Sequence, residues 1–226
     1  MAKGSIFFGD LTRKELRELV SSGTVKGAIV PIGSCEQHDE HLAMINDTDT
    51  VTEIARRVAF AFYPQVLVTP TVSMAVSEHH MNVGGALTIR PEVVVEYLHD
   101  VCLSLKRLGV PKIMVLNGHG GNKRENLEPV APEGIKKLDE LGVTYVTYWQ
   151  TLPPSFYEAN LEHDRSAGHA GEFETSLALL LFQHHVRPKD VANERAKTAS
   201  VSKGCRILDA IVQGVAERVR RMLGEG

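Results

Sequence analysis

Three cysteines in 226 residues leave no material for a disulfide framework. Cys35, Cys102 and Cys205 stand far apart and none belongs to a Cys-x-x-Cys pair, which also excludes a thiolate-rich structural zinc site. Cys35, beside Glu36, reads as a small buried residue rather than a ligand or nucleophile. No run of about 18 apolar residues occurs, so no membrane-spanning helix is expected. The opening MAKGSIFFGDLTRKE has neither the apolar region nor the cleavage site of a secretory signal, and the expected location is the cytoplasm. Neither sign of charge dominates, since 25 Lys and Arg face 28 Asp and Glu for a net charge of −3. The basic residues are scattered, so neither nucleic acid nor a membrane is an expected partner. Internal repeats and low-complexity segments are absent.

The remainder is an ordinary globular composition, 43% hydrophobic and 23% charged, with enough apolar material for a sizeable core. One domain over residues 1–226 is expected. Strand-like and helix-like patterns alternate along it. An amphipathic helix over 10–20, capped by Asp10, precedes an apolar strand at 26–33. A helix at 48–62 and a strand at 66–70 follow, then a long loop at 73–90 with paired histidines and paired glycines. Proline opens a helix at 91–108, a strand covers 111–116, and a helix at 125–141 is interrupted near Pro129 and Pro132. Alternating β-branched and aromatic residues give a strand at 143–149. A polar loop at 152–168 leads into an apolar helix at 169–185, and an amphipathic helix at 204–223 closes the chain. The fold class expected from this order is α/β, a mostly parallel sheet flanked by helices on both faces.

Residues 31–50, PIGSCEQHDEHLAMINDTDT, concentrate carboxylates and histidines just after the 26–33 strand, where open α/β sheets bind ligands. In extended backbone the i, i+2 spacing of Glu36 and His38 turns both side chains the same way. Asp47 and Asp49 return about ten residues later at a helix start. NGHGGN at 117–122 leaves the next strand, and HAGEFETS at 169–176 opens a helix with His169 and Glu172. Imidazole together with carboxylate suits Zn²⁺, Mn²⁺ or Fe²⁺ better than Ca²⁺. Two histidines and three carboxylates are enough for two ions sharing one carboxylate. Taken singly, each segment has a plainer reading. NGHGGN is a phosphate-cradling turn, EQHDEH a solvated acidic loop, and His169 with Glu172 a polar helix start. Their convergence at one end of one sheet favours a site.

These motifs, in order and nearly end to end, resemble the creatininase (creatinine amidohydrolase) family: SIFFGDLTRKE, PIGSCEQH with its following aspartates, VLNGH, TYWQ, GEFETSLALLL and KTASVSKGCRILDAIVQGVAERV. The resemblance implies a creatininase-like fold, a hexamer, and two divalent ions per chain (Zn, Mn or Fe) acting on a small-molecule amide. Glu36, His38, Asp47 and His119 fall on the family's ligands, with Asp47 as the expected bridge and Asp49 as its rival. Gly120 and Gly121 stand where creatininases carry a Tyr-Glu pair whose Glu is the fifth ligand, and Glu172 is expected to take that place. His169 matches the proton-transfer histidine and Trp149 a pocket tryptophan. Arg165 replaces a second pocket tryptophan, implying an anionic substrate; His80 and Gly120 complete the expected substrate-binding residues.

The implied reaction is hydrolysis of a cyclic, creatinine-type amide C–N bond by a water activated between the two ions, with His169 and Glu172 as catalytic groups. Alternatives are a deformylase of a phosphorylated formylaminopyrimidine, a cofactor-maturation peptidase, and, in a different class, a non-catalytic metal- or phosphate-binding protein. Glu172 is the discriminating residue, because a phosphate-binding turn has no use for a neighbouring carboxylate.

Overall fold

Four apolar segments pair as parallel strands in a computed structural model that describes residues 5–225. They are β1 (Gly27–Ile32), β2 (Val66–Val68), β3 (Lys112–Asn117) and β4 (Val143–Thr147), in the order β2-β1-β3-β4. β1 and β3 lie in the centre, paired from Gly27 with Lys112 to Ile32 with Asn117. Both are almost wholly buried, which explains why they are continuous apolar runs rather than alternating ones. All four strands deliver their carboxyl ends to the same side of the molecule.

Among the described residues eight α-helices connect and flank the strands: α1 (Arg13–Ser21), α2 (Asn46–Ala61), α3 (Pro91–Arg107), α4 (Arg124–Leu127), α5 (Pro132–Glu140), α6 (Pro154–Asn160), α7 (Glu172–Leu181) and α8 (Val201–Leu223). The strand pleat divides the core between them. Ile29, Met114 and Leu116 pack with Val51, Ile54 and Val58 of α2, Phe173 of α7 and Ile207 and Ile211 of α8. Ala28, Val30, Ile113 and Val115 point the other way, onto Val95 and Leu98 of α3 and Ile135 and Leu138 of α5. Each fully buried Ile, Leu or Phe contributes about 1.5–3 kcal/mol relative to exposure, so both layers are held mainly by these side chains. The α/β class with helices on both faces is as expected. Among the described residues no helix is long and apolar enough to cross a membrane.

Several boundaries differ from the sequence reading. The first helix is capped by Thr12, not Asp10, in a capping box with Glu15, because Thr12 and Glu15 satisfy each other's backbone N–H groups while Asp10 accepts from Ser5. The 152–168 loop contains α6, opened by Pro154 at its first turn. His169 lies before α7 rather than in it; Gly168 and Ala170, with φ of +68° and +47°, turn the chain there. Trp149 sits in a 3-10 turn just beyond β4. Cys35 is half-buried, and its carbonyl accepts the Leu87 N–H.

Candidate metal centre

The carboxyl ends of β1 and β3 abut the first turn of α2. That approach is possible because the two strand exits are glycines: a Cβ at Gly33 would lie 2.5 Å from Thr48 Cα, and one at Gly118 would lie 2.6 Å from Val51 Cβ. Thr48 Oγ1 fastens the contact by donating to the Ser34 carbonyl at 2.8 Å. The helix start thereby places Asp47 against the side chains carried past β1 and β3.

Asp47 is buried, and its two oxygens face different imidazoles. Oδ1 lies 2.9 Å from His38 Nε2 and Oδ2 lies 2.9 Å from His119 Nδ1. Glu36 Oε1 is 3.2 Å from His119 Nδ1, and Glu174 Oε2 is 3.6 Å from His38 Nε2. Each imidazole is oriented from behind. His38 Nδ1 contacts the Glu36 carbonyl at 3.1 Å, and His119 Nε2 contacts the Val76 carbonyl at 2.8 Å. A carbonyl only accepts, so each ring keeps one hydrogen on that far nitrogen, which leaves the nitrogen facing Asp47 as the one that can ligate a metal once its own proton is given up. Asn117 and Asn122 hold the NGHGGN turn: Asn117 Oδ1 accepts from the His119 N–H, and Asn122 donates to the Gly33 carbonyl and accepts from the Val76 N–H. The turn thus carries His119 rather than opening its amides to a phosphate.

The electrostatics are unbalanced. Glu36, Asp47 and Glu174 are 1%, 3% and 7% exposed, and among the described residues their charged partners are histidines. Buried carboxylates without cations are costly. Burial opposes protonation of His38, but Asp47 and Glu174 outweigh it and raise its pKa to about 10. Burial likewise opposes protonation of His119, which Asp47 and Glu36 raise to about 10. Burial, with Asp47 nearby, pushes Glu174 up to about 8 against the pull of His38. Protons therefore do, in the metal-free protein, what divalent cations do better. Carboxylate oxygens and imidazole nitrogens converge here in several overlapping sets of three, including Glu36, His38 and Asp47. The residues present fit divalent metal binding.

The structure separates the two neighbouring carboxylates of α7. Glu172, expected as the fifth ligand, points away: it accepts from the backbone N–H groups of Glu162 and His163 and pairs with Lys203 of α8. Glu174, which the sequence reading passed over, stands beside His38 and also accepts the Ala170 N–H at 2.7 Å. A signal existed. One helical turn on from Glu172 lies Ser176, whose carbonyl faces α8 at Gly204, whereas Glu174 shares its side with Ala178, which packs with Leu42 near the metal-ligand loop. Asp49 likewise leaves the centre and pairs with His185 at 3.6 Å.

A pocket of about 350 Å³ opens onto the cluster, lined among others by His80, Gly120, Trp149 and His169. Burial and the neighbouring His38 and His80 lower the His169 pKa to about 4. Arg165 is not among the lining residues. Its guanidinium donates to the carbonyls of Leu161, Glu162 and Asp164, closing the end of α6. The cation that does line the pocket is Lys123, 3.4 Å from Glu125.

A parallel α/β sheet whose strand exits gather imidazoles and carboxylates in an open pocket is the architecture of a metal-assisted hydrolase. The Creatininase family model, described as creatinine amidohydrolase, matches residues 9–220, and the chain belongs to that family. It is 27% identical to the creatinine amidohydrolase of Pseudomonas putida over 261 residues, covering 96% of each chain. It is 26% identical to a mycofactocin precursor peptide peptidase of Mycobacterium ulcerans, covering 82% of this chain and 68% of that one. A crystal structure of creatinine amidohydrolase superposes with a TM-score of 0.82 at 25% identity, covering 97% of this chain and 98% of that one. The family's enzymes are hydrolases that act on amide bonds in non-peptide and peptide substrates.

Proposed function

We propose that this protein is a two-metal hydrolase of the C–N bond of a small, non-peptide amide. The observation that carries the reading is Asp47, whose two oxygens address two separate donor groups, Glu36 with His119 on one side and His38 with Glu174 on the other. One carboxylate between two such groups is the arrangement of a shared ligand. Solved creatininases similar to this chain include a manganese form and a Zn–Zn form. Bound ions supply a nucleophilic water at neutral pH and polarise the carbonyl. The chain's own residues supply the rest: Trp149 and Gly120 bound the pocket, and His80 and His169 bring ring nitrogens to its floor. A pocket of about 350 Å³ lies at the small end of ligand sites, which favours a compact substrate such as a cyclic or formyl amide over a peptide.

Lys123 favours a finer reading, in which the substrate carries an anionic group. It takes the role that Arg165 was expected to fill, and a phosphorylated formyl amide is one substrate of that chemistry. The test of the main reading is metal content by mass spectrometry together with hydrolysis of creatinine, formyl amides and short peptides by the zinc- and manganese-loaded protein. Two ions per chain, lost together with activity in His38→Ala and in His119→Ala, are expected. Protein that holds no metal, or that turns over only peptides, contradicts it. Assembly as a hexamer is part of the same proposal, checked by light scattering.

A further inference from the structure

Between the candidate ligands Glu36 and His38 stands Gln37, whose side chain reaches two histidines at once. Gln37 Oε1 accepts the backbone N–H of Asp39 at 2.9 Å. A backbone N–H can only donate, so this bond settles which end of the amide is oxygen and which is nitrogen. Nε2 then lies 2.8 Å from His80 Nδ1 and 3.0 Å from His169 Nε2. A primary amide nitrogen brings two hydrogens and no usable lone pair, so both of those ring nitrogens must accept. The hydrogen of each neutral ring is left on its other nitrogen, Nε2 of His80 and Nδ1 of His169. Those are the atoms that face Glu36 Oε1, at 3.4 and 3.9 Å. The two rings stack with centroids 4.5 Å apart, which keeps both donors on one side of the pocket.

We propose that Gln37 is a positioning residue that selects the tautomers of His80 and His169, so that each presents an N–H donor to the floor of the pocket. The role of these donors in hydrolysis rests on the function proposed above; the tautomers do not. Negative charge grows on the carbonyl oxygen as an amide is attacked, and N–H donors fixed at the pocket floor beforehand need little reorganisation to serve it. His169 acts in this arrangement through its Nδ1–H, with its far nitrogen occupied by Gln37.

The experiment is long-range ¹H–¹⁵N NMR of zinc-loaded, ¹⁵N-histidine protein, with ring signals assigned from His80→Gln and His169→Gln variants. In the parent, His80 Nδ1 and His169 Nε2 are expected in the non-protonated range. Gln37→Glu keeps the acceptor for Asp39 and replaces the NH₂ by an acceptor oxygen, so it should move at least one of these nitrogens into the protonated range. Gln37→Met, which matches the length without hydrogen bonding, should leave mixed tautomers and serves if the charged variant folds poorly. A parent with hydrogen on His169 Nε2, or identical tautomers in parent and variants, overturns the proposal. Zinc content measured on the same samples separates the two readings: two ions with unchanged tautomers refutes Gln37 alone, whereas no bound zinc refutes the metal centre and the catalytic use of these donors with it.

Discussion

The first turns of α2 and α7 carry the same device, a pair of carboxylates two residues apart, and use it differently. In α2, Asp47 enters the centre while Asp49 turns out to His185. In α7 the order is reversed, since the first carboxylate, Glu172, is tied to Lys203 and the 162–163 backbone, and the second, Glu174, meets His38. Residues i and i+2 on a helix are about 200° apart, so one of each pair must face away from any common target. Which one faces in is set by the rotation of the helix about its own axis. For α2 that rotation follows from Gly33 and Gly118, which let its first turn lie on the sheet. For α7 it follows from packing on α8, where Lys203 needs a buried partner and Glu172 provides it.

The largest effect should come from Asp47, the carboxylate proposed to be shared between two ions. Asp47→Asn is expected to lose both ions and to lower kcat/KM by at least about 100-fold, while Asp49→Asn stays within a few-fold of the parent; distant support of a metal ligand alone is worth 10–100-fold. Metal analysis that shows the opposite pattern would exchange the two aspartates.

The α7 pair should split by kind of damage. Glu174→Gln is expected to lower metal affinity by at least about tenfold while the thermal midpoint of the metal-free protein holds or rises, because an unfavourable buried carboxylate has been removed. Glu172→Ala leaves two backbone N–H groups without their acceptor and Lys203 with only Glu162 and the Thr198 carbonyl, which should cost about 1–3 kcal/mol of stability. Denaturant titration and metal content on both variants check this, and a Glu172 variant that keeps its stability but loses metal would restore the original expectation.

The pH dependence sharpens the same contrast. His38 and His119 have folded pKa values near 10, above the ordinary 6.5, so their contribution to the metal-free fold is complete below pH 6.5 and is lost as pH rises toward 10. Glu174, raised from 4.5 to about 8, acts in the same direction. Metal-free protein should therefore melt progressively lower from pH 6.5 to 10. Metal must displace the same protons, so zinc affinity should rise over that range, with at least two protons released per chain at pH 7. Calorimetry in buffers of different ionisation heat counts them, and Glu174→Gln should release fewer.

The smallest effect concerns the pocket mouth. Lys123→Met should cost an anionic amide about tenfold in kcat/KM, roughly 1.4 kcal/mol, and leave creatinine unchanged. Arg165→Ala should change neither substrate and lower stability slightly. Loss of the anionic preference in the Arg165 variant alone would return that role to Arg165.

The sequence by itself determined the alternation that gives a parallel sheet, because β1 and β3 are apolar runs bounded by glycine and the helices between them carry one apolar face. It also brought Glu36, His38, Asp47 and His119 to notice together, through motifs that resemble the creatininase family, at two strand exits and one helix start. His169 and Trp149 were legible through the same resemblance. Tertiary structure alone put Glu174 rather than Glu172 beside His38, and Lys123 rather than Arg165 at the pocket. In both cases the deciding partner, Lys203 of α8 or the carbonyls at the end of α6, lies outside the motif that brought the residue to notice. A motif fixes spacing along the chain, whereas the direction of a side chain at a helix start or in a loop is fixed by whatever packs against it.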